Sequence, residues 1–486
     1  MKQFTQLIQK GRIAIISWNT PIYSAIKAYT GTGPLPFHMP GHKLGAGIPD
    51  EFLGEIEKLD LTEIPGTDNL HLPTGAIKEA QELAAVAFGA RRSFFLVNGC
   101  TVGLHAAIAA MCRPGQRLIV GRDCHRAVIN GMLLAGVEPV YVLPEYSKEF
   151  GINTGITASA VERALDAAPD AVGVLITRPN YYGVCSDVKA IAKIVHMRGK
   201  LLAVDEAHGS HLAFSSRLPV CALEAGADIC IQSAHKTLPA FTQGAYLHTG
   251  SDRVDLQRLQ YFLDIYQTTS PSYIIMAYLD IAREVMQKCG KNLLNGLLDT
   301  IEACSRDMSP DGIKLLGKAD VPGFEHDTTR ITANTTKLGL TGYSAEKLLR
   351  EKHNIQVEMS DLSNIVCIST VADDSTSIDR LFSGLSDLSR HIKLDEVPVL
   401  PAFLGLKLPG QAMEASKVLN AHTVRIPLNE APGRISREII SPYPPGMALV
   451  CPGEIFSHGM VDYIREIIRY GGIVHGIDEN ETVIVI

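Results

Sequence analysis

Short apolar runs alternate with stretches of helical spacing from about residue 75 onward. The stretches 77–88 and 102–111 read as helices, whereas the apolar runs at 94–97, 117–120, 137–142, 171–176, 201–204 and 229–232 are short enough to be buried strands. Helices and strands in alternation predict an α/β fold with a mostly parallel sheet. Unusual polar residues follow the strands directly: Asn98-Gly99-Cys100-Thr101, Asp123-Cys124-His125, Thr177-Arg178-Pro179-Asn180-Tyr181-Tyr182, Asp205 to His208, and Ser233 to Lys236. In open α/β sheets ligands bind outside the carboxyl ends of strands, so these separate segments are expected to converge on one crevice.

Outside this region the pattern changes. Residues 1–46 are rich in glycine, proline and aromatics, which predicts an extended arm with little helix that packs on another surface. A large domain is expected over 47–299, ending in a helical stretch at 272–288. A smaller α/β domain is expected over 300–395, with strands at 331–333 and 365–368 around a helix at 344–352. The last unit, 396–486, carries Ser441-Pro442-Tyr443-Pro444-Pro445-Gly446 and Cys451-Pro452-Gly453-Glu454, too proline-rich for regular helix or central strand.

The length of 486 residues suits two or three domains, and 46% apolar with 20% charged residues is ordinary globular composition. A net charge of −7 and the lack of a long basic run argue against nucleic acid or an anionic membrane as partner, and for a small-molecule substrate. No apolar run approaches the roughly 18 residues of a spanning helix, and the polar start does not resemble a signal peptide, so a cytoplasmic protein is expected. Ten cysteines without a C-x-x-C pair, six of them in or beside apolar segments, predict buried thiols rather than disulfides or zinc ligands.

The chemistry centres on Lys236, directly after the strand 229–232, and on Asp205, a strand-end carboxylate 31 residues earlier. A lysine amine so placed can form a Schiff base with an aldehyde, and a carboxylate can keep a pyridine nitrogen protonated, which together point to pyridoxal phosphate. A lone loop lysine is ordinarily solvated; here its surroundings favour the cofactor. Asn98, Gly99, Cys100 and Thr101 open a helix whose free N–H groups can hold a phosphate, although a simple capped helix has the same pattern. His125 could lie on one face of the pyridine ring, and the small Ala207 would leave room on the other; a structural histidine and ordinary alanine packing fit these positions too. Ser233 and His235 offer donors to a phosphate or a substrate carboxylate.

Two rival chemistries are weak. No P-loop is present, and the glycines at 41, 45 and 47 neither follow a strand nor fit G-x-G-x-x-G. Asp205, His208 and His211, with His38, His42 or His71, could ligate a divalent ion, but their spacing matches no metal motif, so no metal is expected.

Seven segments then carry a resemblance over nearly the whole chain: Pro36-Phe37-His38-Met39-Pro40-Gly41-His42-Lys43, Asp68-Asn69-Leu70-His71, Val204-Asp205-Glu206-Ala207-His208-Gly209, Ser233-Ala234-His235-Lys236-Thr237-Leu238-Pro239, Thr268-Thr269-Ser270-Pro271-Ser272-Tyr273, and Tyr443-Pro444-Pro445-Gly446 with Pro452-Gly453-Glu454. The chain resembles the pyridoxal-phosphate-dependent ornithine/lysine/arginine decarboxylases of the aspartate-aminotransferase-like fold, in the short form without an N-terminal wing domain. The resemblance implies Lys236 as the Schiff-base lysine, Asp205 as partner of the pyridine nitrogen, His125 stacked on the ring and His208 near ring and substrate. It also implies phosphate contacts from Gly99, Thr101, Ser233 and His235, with Thr269 and Ser270 reaching the phosphate of a neighbouring subunit in at least a homodimer. The aromatic arm would cover that partner.

The chain departs from the family pattern at Cys100, where a hydroxyl residue is common, and at Asn69, where a second acid is common. The implied reaction is α-decarboxylation of a basic amino acid, ranked lysine, arginine, ornithine from the Lys236 segment, giving cadaverine, agmatine or putrescine for polyamine synthesis. Glu358, Asp361 and Glu454 are candidate acids for the cationic substrate tail, with surface solvation as the plain alternative. Other reactions of the fold, an aminotransferase or a carbon–carbon lyase, and a catalytically inert homologue complete the alternatives.

Overall fold

The computed structural model describes residues 20–54, 56–308, 312–388, 408–443 and 447–486. Residues 1–35 form one unit, and its described part holds helix α1, Pro21–Gly31, in which no residue is buried. The expectation of an arm with little helix is therefore corrected. Pro21 sits in the first helical turn, where its fixed φ is favourable, and the helix-breaking Gly33, Pro34 and Pro36 all come after the helix ends. Residues 1–19 of that arm lie outside the described residues.

The second unit, residues 36–486, includes residues 36–46, which were expected in the arm. Its core is a seven-stranded sheet among the described residues. The strands are β1 (Arg92–Leu96), β2 (Arg117–Gly121), β3 (Glu138–Val142), β4 (Gly173–Thr177), β5 (Leu201–Asp205), β6 (Ile229–Gln232) and β7 (Ala245–Thr249), in the order β1-β7-β6-β5-β4-β2-β3. All neighbours are parallel except β7, which runs antiparallel to both β6 and β1. Four of these strands, β2, β4, β5 and β6, are buried over nearly their whole length, which is why they read as continuous apolar runs.

Helix α2 (Ala76–Phe88) precedes β1, α3 (Gly99–Met111) follows it, and α4 (Arg126–Ala135) follows β2. Helix α3 lies tight on the sheet because residue 103 is glycine: a Cβ there would come 2.6 Å from Leu96 Cδ1 and 3.1 Å from Ile231 Cγ2. After β6 a single helical turn, α5 (Ala234–Thr237), carries Lys236. Asp205 closes β5 and is paired across the sheet with Thr177 of β4 and Ile231 of β6. Lysine and carboxylate thus leave adjacent strands at the same edge.

Helix α6 (Tyr273–Val285) continues through a π-turn into α7 (Lys291–Arg306). Beyond it lies a four-stranded antiparallel sheet of β8 (Lys314–Leu315), β9 (Arg330–Asn334), β10 (Met359–Ser360) and β11 (Asn364–Ile368), in the order β8-β9-β11-β10. The helix expected at 344–352 is α8, Gly342–His353. Toward the end of the chain, β12 (Val424–Pro427) pairs with β15 (Thr482–Val485) and β13 (Ser441–Tyr443) with β14 (Ile473–His475). Helix α9 (His458–Arg469) buries Met460, Val461, Ile464 and Ile467 against this last unit's core. The Pro444-Pro445-Gly446 stretch and the boundary expected at 396 lie outside the described residues.

The segment Pro40 to Lys43 is docked on the lysine turn. Gly41 N donates to the His235 carbonyl at 2.7 Å, and buried Lys43 donates to the carbonyls of Pro36 at 2.8 Å and Ile368 at 2.7 Å. A Cβ on residue 41 would lie 2.7 Å from the Leu238 carbonyl oxygen, a backbone atom that cannot swing away. Gly41→Ala is expected to cost about 1–3 kcal/mol of stability through this overlap and to weaken cofactor retention. Thermal unfolding and the cofactor content of the purified variant measure the two effects.

Candidate active site

The lysine turn, the end of β5 and the start of β9 meet in one buried polar cluster. Lys236 Nζ lies 3.0 Å from His208 Nε2, and His208 Nδ1 lies 3.2 Å from Arg330 Nη2. The Tyr181 ring packs 4.6 Å from the His208 ring, with Lys236 Nζ 5.9 Å from the Tyr181 centroid. Burial holds Lys236 below the usual lysine range; Arg330 adds to this, while Cys100, Asp205 and Glu358 oppose it. His208 is pushed well below the usual histidine range by burial, then by Lys236 and Arg330. His125 caps α4, its Nδ1 accepting from Ala127 N at 3.2 Å. Burial, with help from Lys236, lowers it to about 4 and keeps it neutral at ordinary pH.

Asp205 is buried, and the hydrogen bond given to its carboxylate comes from Ala207 N at 3.2 Å. Burial raises its pKa, against the pull of Lys236. The neighbouring Glu206 points the other way, into Arg178 Nη1 at 3.0 Å, Ala222 N at 2.8 Å and Gln232 Nε2 at 2.8 Å. One acid of the pair is fully used in holding the sheet edge. The other is free to serve a ligand. Ala207 is buried beside it.

At the start of α3, Gly99 has φ +75° and donates its N–H to the Gln243 carbonyl at 2.9 Å. Asn98 stands at the cap position without capping: its side-chain oxygen accepts from Thr268 N at 3.1 Å. The first-turn N–H groups, with exposed Thr101, are therefore not closed off by a side-chain cap. Ser233 Oγ donates to Cys100 Sγ at 2.9 Å, and burial pushes the Cys100 thiol up to about 12. His235 Nδ1 bonds the Gly244 carbonyl at 3.0 Å, which leaves its Nε2 as an acceptor while the ring is neutral. Thr269 and Ser270 are exposed on the turn that reaches Asn98 through Thr268.

Three buried oxygens at this edge have no hydrogen-bond partner among the described residues: Asp123 Oδ1, Thr177 Oγ1 and Thr237 Oγ1. Buried polar atoms are rarely left unpaired unless a ligand or water completes them. An amine nucleophile, a buried carboxylate and an open helix start are the donor set that the aldehyde, ring nitrogen and phosphate of pyridoxal phosphate require, so the residues present fit that group.

The three acids suggested for the substrate tail separate sharply. Glu358 accepts from Met39 N at 2.9 Å and acts electrostatically on both Lys236 and Arg330. Asp361 is occupied by Tyr182 OH at 2.8 Å, Ser363 N at 2.7 Å and Asn364 N at 2.8 Å. Glu454 is clamped by Arg122, with Nη1–Oε1 2.6 Å and Nη2–Oε2 2.8 Å, and also accepts from Cys451 N at 2.6 Å. Of the histidines in the rival set, His211 bonds Thr329 at 3.1 Å, and His208 faces Lys236 and Arg330.

Known proteins resemble the chain over most of its length. The model for the major domain of Orn/Lys/Arg decarboxylases matches residues 20–316, and the model for their C-terminal domain matches residues 404–479. The chain belongs to the Orn/Lys/Arg decarboxylase family. Within that family, an arginine decarboxylase of Bacillus subtilis is 37% identical over 470 residues, covering 95% of this chain and 96% of that protein. The inducible lysine decarboxylase of Escherichia coli is 24% identical, covering 94% of this chain and 78% of that one. The solved lysine decarboxylase of Francisella novicida has a TM-score of 0.74 at 19% identity, over 99% of this chain and 80% of that chain. An alanine–glyoxylate aminotransferase from Nostoc has the same fold at TM-score 0.56 and 14% identity, over 78% of this chain and 98% of that chain. This family member is a decarboxylase of basic amino acids, and its cofactor is pyridoxal phosphate.

The sequence reading gave no role to Asp123 or Tyr181, although both lie in the polar segments it placed at strand ends, and it did not single out Arg330. Burial and the Asp205 charge push Asp123 up to about 7. Its place directly after β2, two residues before His125, was the available signal; Arg330, 122 positions from His208, gave none.

Glu454→Gln is expected to lower stability by about 3–5 kcal/mol, because it leaves the buried Arg122 guanidinium without its counter-charge. The Michaelis constant for the basic amino acid should stay unchanged. Thermal inactivation and steady-state kinetics of the variant check the two statements.

Proposed function

We propose that the chain decarboxylates L-arginine at Cα, giving agmatine and carbon dioxide, with Lys236 holding the cofactor aldehyde. The observation that carries this is the placement of Lys236 and Asp205 at the ends of adjacent parallel strands, the carboxylate buried, the lysine partly buried, and the two joined electrostatically. Arginine stands ahead of lysine because the relatives at 34–37% identity from Bacillus subtilis, Halalkalibacterium halodurans and Bacillus anthracis are named arginine decarboxylases. Lysine, ranked first from the Lys236 segment alone, is the second reading.

Asp205 would hold a proton on the ring nitrogen. A cation placed against this carboxylate would oppose the burial that raises its pKa and keep it ionised. Ala207 and His125 would bound the two ring faces, and the first-turn N–H groups of α3, with Thr101 and Ser233, would receive the phosphate. Thr269 and Ser270 would reach the phosphate of a second copy in a homodimer.

Bound there, pyridoxal phosphate supplies the electron sink for the bond to the departing carboxylate. Water exclusion strengthens the charge interactions on which that sink depends. After carbon dioxide leaves, Cα needs a proton, and His208 Nε2 and Lys236 Nζ, 3.0 Å apart, form the pair that can deliver it. Glu358 would meet the guanidinium tail, since Asp361 and Glu454 are committed elsewhere.

Purified, cofactor-loaded protein should release carbon dioxide and agmatine in equal amounts from L-arginine, faster than either product pair from L-lysine or L-ornithine. A keto acid without carbon dioxide would overturn the reading. Lys236→Ala should lose at least about a thousandfold in turnover together with the visible absorbance of bound cofactor. Asp205→Asn should retain cofactor but turn over about 10²–10⁴-fold more slowly. Parallel absorbance and rate measurements separate the two roles.

A further inference from the structure

We propose that Arg330 is a positioning residue: by donating to His208 Nδ1 it sets that ring's tautomer and obliges Lys236 to stand as a free amine, ready for an aldehyde. The proposal deepens the functional reading above and rests on it.

A guanidinium has donors and no acceptor. Arg330 Nη2 lies 3.2 Å from His208 Nδ1, so Nδ1 must accept and carries no proton. A neutral imidazole keeps one proton, which then sits on Nε2. That nitrogen lies 3.0 Å from Lys236 Nζ and donates to it. An ammonium has no lone pair to receive the bond, so the lysine on this pathway is neutral.

The other protonation patterns each set two N–H groups against each other. An imidazolium would point Nδ1–H at the guanidinium. An ammonium donating to a bare Nε2 would force the ring proton onto Nδ1, with the same collision. The same Nη2 also approaches the His208 carbonyl at 3.4 Å, which braces the guanidinium against this residue. Arg330 itself is held at the start of β9, its backbone N–H on the Asp327 carbonyl at 3.0 Å.

The charged and titratable groups around Lys236 divide in their effect. Asp205 at the end of β5, Glu358 before β10 and Cys100 on α3 favour the ammonium, whereas Arg330 on β9 opposes it. His125, His208 and His235 are each depressed first by burial, with a charged Lys236 depressing them further, and Tyr181 lies beneath the lysine. Two carboxylates alone would stabilise a protonated lysine, a poor nucleophile. The arginine, acting through the histidine, turns the balance toward the amine that attacks a carbonyl carbon.

The test uses the full-length chain freed of cofactor. With histidine labelled in nitrogen-15 and His208 assigned by difference from a His208→Gln spectrum, the ring should show a protonated Nε2 and a bare Nδ1 near neutral pH. Arg330→Met, which has no donor, should shift the proton toward Nδ1, and Arg330→Lys, which keeps one, should restore the original pattern. Capture of pyridoxal phosphate by Lys236, fixed by borohydride and read by peptide mass, should slow about tenfold near pH 7 in Arg330→Met for each unit by which the lysine pKa rises. Its pH profile should move upward.

A protonated Nδ1 or an imidazolium in the wild-type chain overturns the inference, as does an Arg330→Met variant with unchanged tautomer and profile. If that variant does not fold, the wild-type tautomer decides alone. A wild-type chain that captures no aldehyde at Lys236 at any pH overturns the functional reading instead.

Discussion

Removal of ionisable groups from water at the carboxyl edge of a parallel sheet is the constraint on which this molecule is organised. Interior strands satisfy one another's backbone, so the residues that end them bring only side chains to the crevice. There, desolvation penalises every charge, and the groups must be paired, neutralised or reserved for a ligand. Glu206 and Asp205 show two of these outcomes in consecutive residues. Glu206 is enclosed by Arg178, Gln232 and the Ala222 amide, while Asp205 keeps most of its hydrogen-bonding capacity unused. Alternation along the strand sends the two side chains to opposite sides and so divides structural from chemical work.

Much of this edge was legible in the sequence because buried strands are apolar and uninterrupted, and each is punctuated by an unexpected polar residue. Lys236 and Asp205 stand out for that reason. Strand β7 did not, since its sequence Ala-Tyr-Leu-His-Thr includes a histidine that looks exposed. In the fold His248 is fully buried, with its Nδ1 bonded to Ser93 Oγ at 2.7 Å, a partner 155 residues away. Helix α1 was obscured by the glycines and prolines that follow it, which dominate the composition of the arm without entering the helix.

The site residues that sequence reasoning could not reach are those supplied across long separations. Arg330 comes from a different sheet, and nothing local distinguishes it from a surface arginine. Conversely, Asp361 and Glu454 attracted attention as acids in familiar segments, yet their oxygens are taken by Tyr182 and backbone amides in one case and by Arg122 in the other. An acid's type can be read from the chain. Whether its lone pairs are vacant depends on its neighbours in space.

The Arg122–Glu454 clamp ties the loop that carries Asp123 and His125 to a residue 332 positions later. During synthesis the amino-terminal part of a chain begins to fold while the rest is still being made. The sheet can therefore assemble early, but Arg122 lacks its counter-charge until the carboxyl-terminal unit emerges. The crevice is finished only once residue 454 has been made, so a ribosome-bound nascent chain carries Lys236 well before it has the completed crevice around that lysine.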